Sequence, residues 1–103
     1  MWWAELDPGR GREQSGRRPV LVIASAEYLR AVTTLAIVVP VTTVDRGWPN
    51  HINLGDCGLP RPSWAMTEQP RTLSRERLVG QAGRVDRETL AEVRSWLRDF
   101  LED

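Results

Sequence analysis

The chain is short of most residue types on which small-protein chemistry is usually built. It has one cysteine, Cys57, and one histidine, His51, in 103 residues. A lone cysteine excludes an internal disulfide and any multi-cysteine zinc site. A lone histidine argues against a histidine-based metal centre or a conventional triad. There is no lysine: all 14 basic residues are arginine. No apolar run approaches the roughly 18 residues needed to span a bilayer. Acids within the first seven residues leave no signal-peptide core. A cytoplasmic chain without metal, cofactor or membrane span is expected. At 11.7 kDa it is one domain, 1–103, with a thin core. A homodimer would relieve that thinness, and five tryptophans (Trp2, Trp3, Trp48, Trp64, Trp96) are more than such a core readily hides.

Fourteen basic residues balance fourteen acidic ones, but unevenly along the chain. From Asp86 onward there are six acids and three arginines, a net charge of −3, so the preceding 85 residues carry +3. Arg10, Arg12, Arg17 and Arg18 cluster against Glu13 alone. An arginine-rich genome gives the same excess, yet guanidinium forks also suit phosphates and stack on bases.

The pattern is mainly β. Trp2–Leu6 reads as an aromatic first strand, Arg18–Ser25 as an apolar second one, and Thr34–Thr43 as a β-branched central strand. Pro40 in that strand predicts a bulge or an edge. Glu27–Ala31 fits a helical turn. Asn50–Leu54, Ser63–Thr67, Arg71–Leu73 and Leu78–Val85 read as further short strands. Gly55–Pro62 reads as loop. Asp86–Asp103 is a capped helix with Leu90, Val93, Trp96, Leu97, Phe100 and Leu101 on one stripe. Short strands with one terminal helix suggest a small bent sheet or partly open barrel.

Between the first two strands, Asp7–Arg17 holds three glycines, one proline and no large apolar residue. Its glycines permit close approach to a ligand, and its arginines can neutralise phosphates. The bland alternative is a solvated loop. Thr42 and Thr43 end the most apolar strand, where hydroxyls can bind a phosphate oxygen or satisfy local backbone. Glu68, Gln69, Arg71 and Thr72 form a second polar cluster. A phosphate-handling site results if the sheet sets that cluster beside Arg18 and Thr42. His51 and Cys57 have no neighbours in sequence that signal catalysis, and a structural role is expected of both.

Three segments together resemble the MazF/PemK family of toxin endoribonucleases. Leu6-Asp7-Pro8 followed by Gly11-Arg12-Glu13-Gln14-Ser15-Gly16-Arg17-Arg18-Pro19-Val20 is similar to its L-D-P…G-x-E-Q-x-G-x-R-P-V. Val39-Pro40-Val41-Thr42-Thr43 is similar to its V-P-V-T-[TS] strand. Glu68-Gln69-Pro70-Arg71-Thr72-Leu73 is similar to its [DE]-Q-x-R-[ST]-[IL]. The resemblance implies an SH3-like barrel of the CcdB/MazF superfold with a terminal helix, usually dimeric. It implies metal-independent cleavage of single-stranded RNA by its own 2′-OH, leaving 2′,3′-cyclic phosphate and 5′-OH ends. It also implies a cognate antitoxin protein that occupies the RNA groove. By motif position, Arg18 would stabilise the phosphate, Thr42 would bind a phosphate oxygen, and Glu68 stands where part of the family has a proposed catalytic Asp. Arg10, Arg12, Glu13, Gln14, Arg17, Thr43, Gln69 and Arg71 would contact RNA or shape its groove. The loop before Arg18 would act as a lid over bound RNA.

The match has departures. Arg12 stands where relatives often have Ser or His, and Met66 where the PemK branch can carry a catalytic arginine. Relatives usually have a few more residues ahead of the first strand, which implies a trimmed start here. Two other readings stay open on the same fold: a CcdB-like topoisomerase poison that acts through protein contacts, and an inactive binding module. The first lacks support in the final residues, since no Trp-Gly-Ile ending is present.

Overall fold

Alternation along the third strand organises the molecule. In a computed structural model that describes residues 1–6 and 16–102, this strand, β3 (Leu35–Thr42), has almost no polar side to offer water. Ala36 and Val38 pack into one apolar cluster with Ala4, Val20 and Leu73. Val39 and Val41 pack into another with Met1, Leu21, Ile52, Leu54, Ala65 and Val93. A strand covered on both faces needs apolar residues at successive positions rather than at every second one, which explains the sequence from Ala36 to Val41.

The neighbours of β3 are β1 (Trp2–Glu5), β2 (Arg17–Val22), β4 (His51–Asn53), β5 (Trp64–Met66), β6 (Arg71–Ser74) and β7 (Leu78–Gln81). Among the described residues they form one antiparallel sheet in the order β4-β5-β3-β2-β1-β7, with β6 also paired to β3. The expected mainly β architecture with a C-terminal helix is present. Boundaries differ by a few residues. β2 begins at Arg17, which pairs with Glu5, so Arg17 belongs to the ladder rather than to the preceding loop. β7 stops at Gln81 instead of Val85.

The bulge or edge expected at Pro40 is replaced by another solution. Pro40 pairs in unbroken register with Val20. On the other side of β3, pairing to β6 ends at Val38 and pairing to β5 begins at Val41. Proline thus falls at the change of partner, where a missing N–H breaks no ladder.

Among the described residues two α-helices close the fold. α1 (Ala26–Ala31) starts at Ser25, whose hydroxyl accepts the Tyr28 N–H at 3.0 Å. Its far end is held by Arg75, which lies in a 3-10 turn (Arg75–Arg77) and donates to the carbonyls of Leu29, Val32 and Leu35. α2 (Arg87–Leu101) is capped by Asp86, whose Oδ1 accepts the Thr89 N–H at 2.7 Å. The Thr89 side-chain hydroxyl, together with this backbone bond, holds the Asp86 carboxyl below its ordinary value. Val93 is fully buried, with Leu90, Trp96 and Leu97 packed around it. Arg94 ties the helix to the end of β2 by donating to the carbonyls of Ile23 and Ala24, at 2.9 and 3.0 Å. The stripe outruns the core: Phe100 and Leu101 are exposed.

Candidate functional site

Register brings the first two candidates together. Val20 faces Pro40 across the β2–β3 pair, and Arg18 and Thr42 each lie two residues beyond that pair, at the same end of the sheet. Both residues line one cavity there. Thr42 in turn faces Trp64 on β5.

The two side chains line a groove of about 380 Å³ at the ends of β2 and β3. That volume is near the low end of the ~300–1,000 Å³ typical of small-ligand clefts. Thr43 and Ser63 add hydroxyls to its wall, while Trp3, Pro19, Pro40, Leu59, Pro60 and Met66 make most of it apolar. Arg18 and Arg61 are its charged members, and no carboxylate lines it among the described residues. A cationic cleft with low-dielectric walls concentrates anions.

Thr42 is poised as a donor. Its Oγ1 accepts the Val44 N–H at 3.1 Å, which fixes the hydroxyl and leaves its proton for an oxygen in the groove. Arg18 is exposed, with its planar fork available to a phosphate. Thr43 shares the groove. Arg10, Arg12, Glu13 and Gln14, and with them the lid expected of their loop, lie outside the described residues.

The second polar cluster stands elsewhere. Glu68, Gln69, Arg71 and Thr72 do not line the Arg18–Thr42 groove. Arg71 and Thr72 belong to β6, facing Val38 and Ile37 of β3. Glu68 borders a separate apolar cavity of about 500 Å³ with Ile23, Ile37, Pro70, Leu97, Phe100 and Leu101. Its carboxylate accepts from His51 Nε2, 3.0 Å from each oxygen, from Asn50 Nδ2 at 2.8 Å and from Gln69 Nε2 at 3.3 Å. Burial pushes the Glu68 carboxyl up. The bonds from His51, its own backbone N–H and Gln69, with the His51 charge, outweigh that and hold it below its ordinary value. Trp48 covers the His51 ring at 4.8 Å. His51 is buried, and its Nδ1 has no partner among the described residues. The sequence thus assigned His51 a structural part, and the ring is indeed built into a hydrogen-bonded cluster. Glu68, seventeen residues away, is a motif residue, but its pairing with His51 carried no sequence signal.

Cys57 is buried, consistent with an inert thiol. Among the described residues no group of three or more His, Cys, Asp or Glu could hold a metal ion. No helix among them is long and apolar enough to cross a membrane. Arg61 was missed altogether. Its local signal was slight: an arginine between two prolines inside a loop.

Comparison with known proteins gives the family and the fold. The model of the PemK-like, MazF-like toxins of type II toxin–antitoxin systems matches residues 1–101. Endoribonuclease MazF9 of Mycobacterium tuberculosis is 33% identical over 109 residues, covering 99% of this chain and 92% of its own. A crystal structure of MazF from Deinococcus radiodurans superposes with a TM-score of 0.76 at 35% identity, covering 97% of this chain and 90% of the other. A MazE–MazF structure from the same organism gives 0.78 at 33% identity, covering 96% and 89%.

Proposed function

Because the chain belongs to the PemK-like, MazF-like toxin family, we propose that it is a toxin endoribonuclease whose RNA-cleaving centre is the groove holding Arg18 and Thr42. The observation that carries this is that those two residues line one cationic groove, with no lining carboxylate among the described residues. The substrate is single-stranded RNA. Its 2′-oxygen attacks the adjacent phosphorus and loses a proton. The bond to the 5′-oxygen breaks, and that oxygen gains a proton. The products are a 2′,3′-cyclic phosphate and a 5′-OH.

Negative charge concentrates on the non-bridging oxygens as the P–O bond forms. Arg18 meets that charge with a guanidinium too basic to serve as a simple proton donor, so its contribution is electrostatic. Thr42 donates its remaining hydroxyl proton to one of the same oxygens. Apolar walls exclude water and strengthen both interactions. Thr43 contacts RNA in the same groove, and Arg17 flanks it. From the family motif, Arg10, Arg12, Glu13 and Gln14 extend the contacts to RNA. Glu68, held by His51 and Gln69, acts from outside the groove by fixing the start of β6, and Arg71 extends the positive surface there.

The whole chain, 1–103, works as a single domain in the cytoplasm, where its substrate is. Its natural partner is an antitoxin that covers the groove; the similarity to a MazE–MazF structure from Deinococcus radiodurans supports such a partner. It works as a homodimer: none of the five tryptophans is fully buried in one chain. Sedimentation at micromolar concentration should give a pair of 11.7 kDa chains, and a persistent monomer removes that part of the proposal.

A long single-stranded RNA incubated with the protein in EDTA tests the chemistry. Cleavage with cyclic-phosphate ends is expected, and Arg18→Ala should slow it about 10²-fold or more. Fully active, folded Arg18→Ala protein, or products with 5′-phosphates, overturns the mechanism.

A further inference from the structure

We propose that Arg61 is a second phosphate-binding residue of the groove, gripping the RNA backbone from the β4–β5 loop while Arg18 grips it from β2. The assignment rests on the endoribonuclease reading above and goes beyond it, because Arg61 belongs to none of the three sequence motifs.

Position comes first. Arg61 lines the same groove as Arg18 and Thr42, although the two arginines come from separate elements, a strand end and a loop. Single-stranded nucleic acids are held by grooves that combine cations for the backbone with apolar surfaces for the bases. Trp3, Pro40 and Met66 supply the apolar part here. A cleft of about 380 Å³ suits one nucleotide unit, and one unit is flanked by two phosphates. The groove carries two guanidiniums among its described lining residues.

Rigidity comes second. Arg61 is exposed, and most exposed arginines lose entropy when they bind a ligand. The backbone of this one is held beforehand. Pro60 precedes it, and Pro62 restricts it to extended conformations. Buried Ser63 donates from Oγ to the Arg61 carbonyl at 2.9 Å. Behind it, Leu59 packs against the apolar cluster that holds Val39, Val41 and Val93, and Cys57 is buried. The Cys57 carbonyl accepts the Arg84 N–H at 2.9 Å, which ties the loop to the segment before α2. A loop anchored this firmly holds the Arg61 backbone in place beside the groove, so binding need order only the side chain. No carboxylate among the described residues lies within ion-pair distance of it.

The test needs an RNA that binds but does not react. Cut sites are mapped on a long RNA with the wild-type protein. A short oligonucleotide is then made across one site with 2′-deoxyribose at the attacking position. Binding is measured at several salt concentrations for wild type, Arg61→Ala and Arg61→Lys. Arg61→Ala should bind about tenfold more weakly at low salt, with its log–log salt slope reduced by about 0.7, the value for one phosphate contact on a single strand. Arg61→Lys should keep most of the slope. A neutral methylphosphonate at one linkage flanking the cut should weaken wild type about as much as Arg61→Ala does, and should leave Arg61→Ala unaffected. Thermal unfolding should be the same for all three proteins.

If wild type cleaves and binds while Arg61→Ala matches it at every salt concentration, the assignment is overturned and the endoribonuclease reading stands. A loss seen with a glutamate-rich peptide but not with RNA overturns it in favour of a protein partner. Wild type that neither cleaves nor binds RNA overturns both.

Discussion

A threonine hydroxyl has one proton to give, and the turn after β3 leaves that of Thr42 free. Oγ1 accepts the Val44 N–H, so its own O–H is available to a ligand oxygen in the groove it lines. The strands that carry Arg18 and Thr42 were legible in the sequence, since each belongs to an apolar run; that both line one groove was not, because it depends on how the sheet assembles. Nor were Arg61 and the His51–Glu68 pair. Their contacts depend on how a loop and a strand return to the sheet, which no local pattern encodes. The Glu68 cluster has its own measurable consequence. A carboxyl held below its ordinary value of 4.5 adds stability above that pH, and the gain disappears as pH falls through the lowered value. Wild type should therefore lose more stability than Glu68→Gln between about pH 5 and pH 3, as read by urea unfolding at each pH. Parallel curves would show that the bonds to His51, Asn50 and Gln69 contribute nothing to folding.

Elements in this chain are held together by unusual backbone contacts as well as by apolar packing. The clearest lies between the β4–β5 loop and the stretch after β7. A Cβ at Gly83 would overlap the Cys57 carbonyl oxygen and press on Met1, so this approach requires glycine. It allows the Arg84 N–H to reach that carbonyl and the Met1 amino group to donate to the Gly83 carbonyl at 3.0 Å. Gly83→Ala should cost about 1–3 kcal/mol, the usual scale of overpacking, in chemical unfolding. A near-neutral result would mean that the loop yields easily, which would also weaken the rigidity assigned to Arg61. Reading Leu78–Val85 as one strand missed this, because a glycine that weakens a strand and one that admits another backbone look alike in sequence. The helix stripe was read correctly from Leu90 to Leu97. Periodicity alone could not reveal that the core ends before Phe100 and Leu101.

For the molecule as a whole, β3 is the shared wall. Each of its faces closes one of the two apolar clusters, and its edges pair with β2, β5 and β6. The partner change at Pro40 was hidden from sequence reasoning for the same reason, since it depends on two strands more than twenty residues downstream. Neither cluster can come apart without exposing the other, so unfolding should be a single cooperative transition. Thr42 is the last residue of this same strand. Whatever occupies the groove is thus linked to the melting of the entire fold. Free ligand at one hundred times its dissociation constant should add about 2.7 kcal/mol to the global stability. The uncleavable oligonucleotide should raise the melting temperature of both clusters together. A toxin silenced by an occupant of that groove would, by the same linkage, also be the form most resistant to proteases.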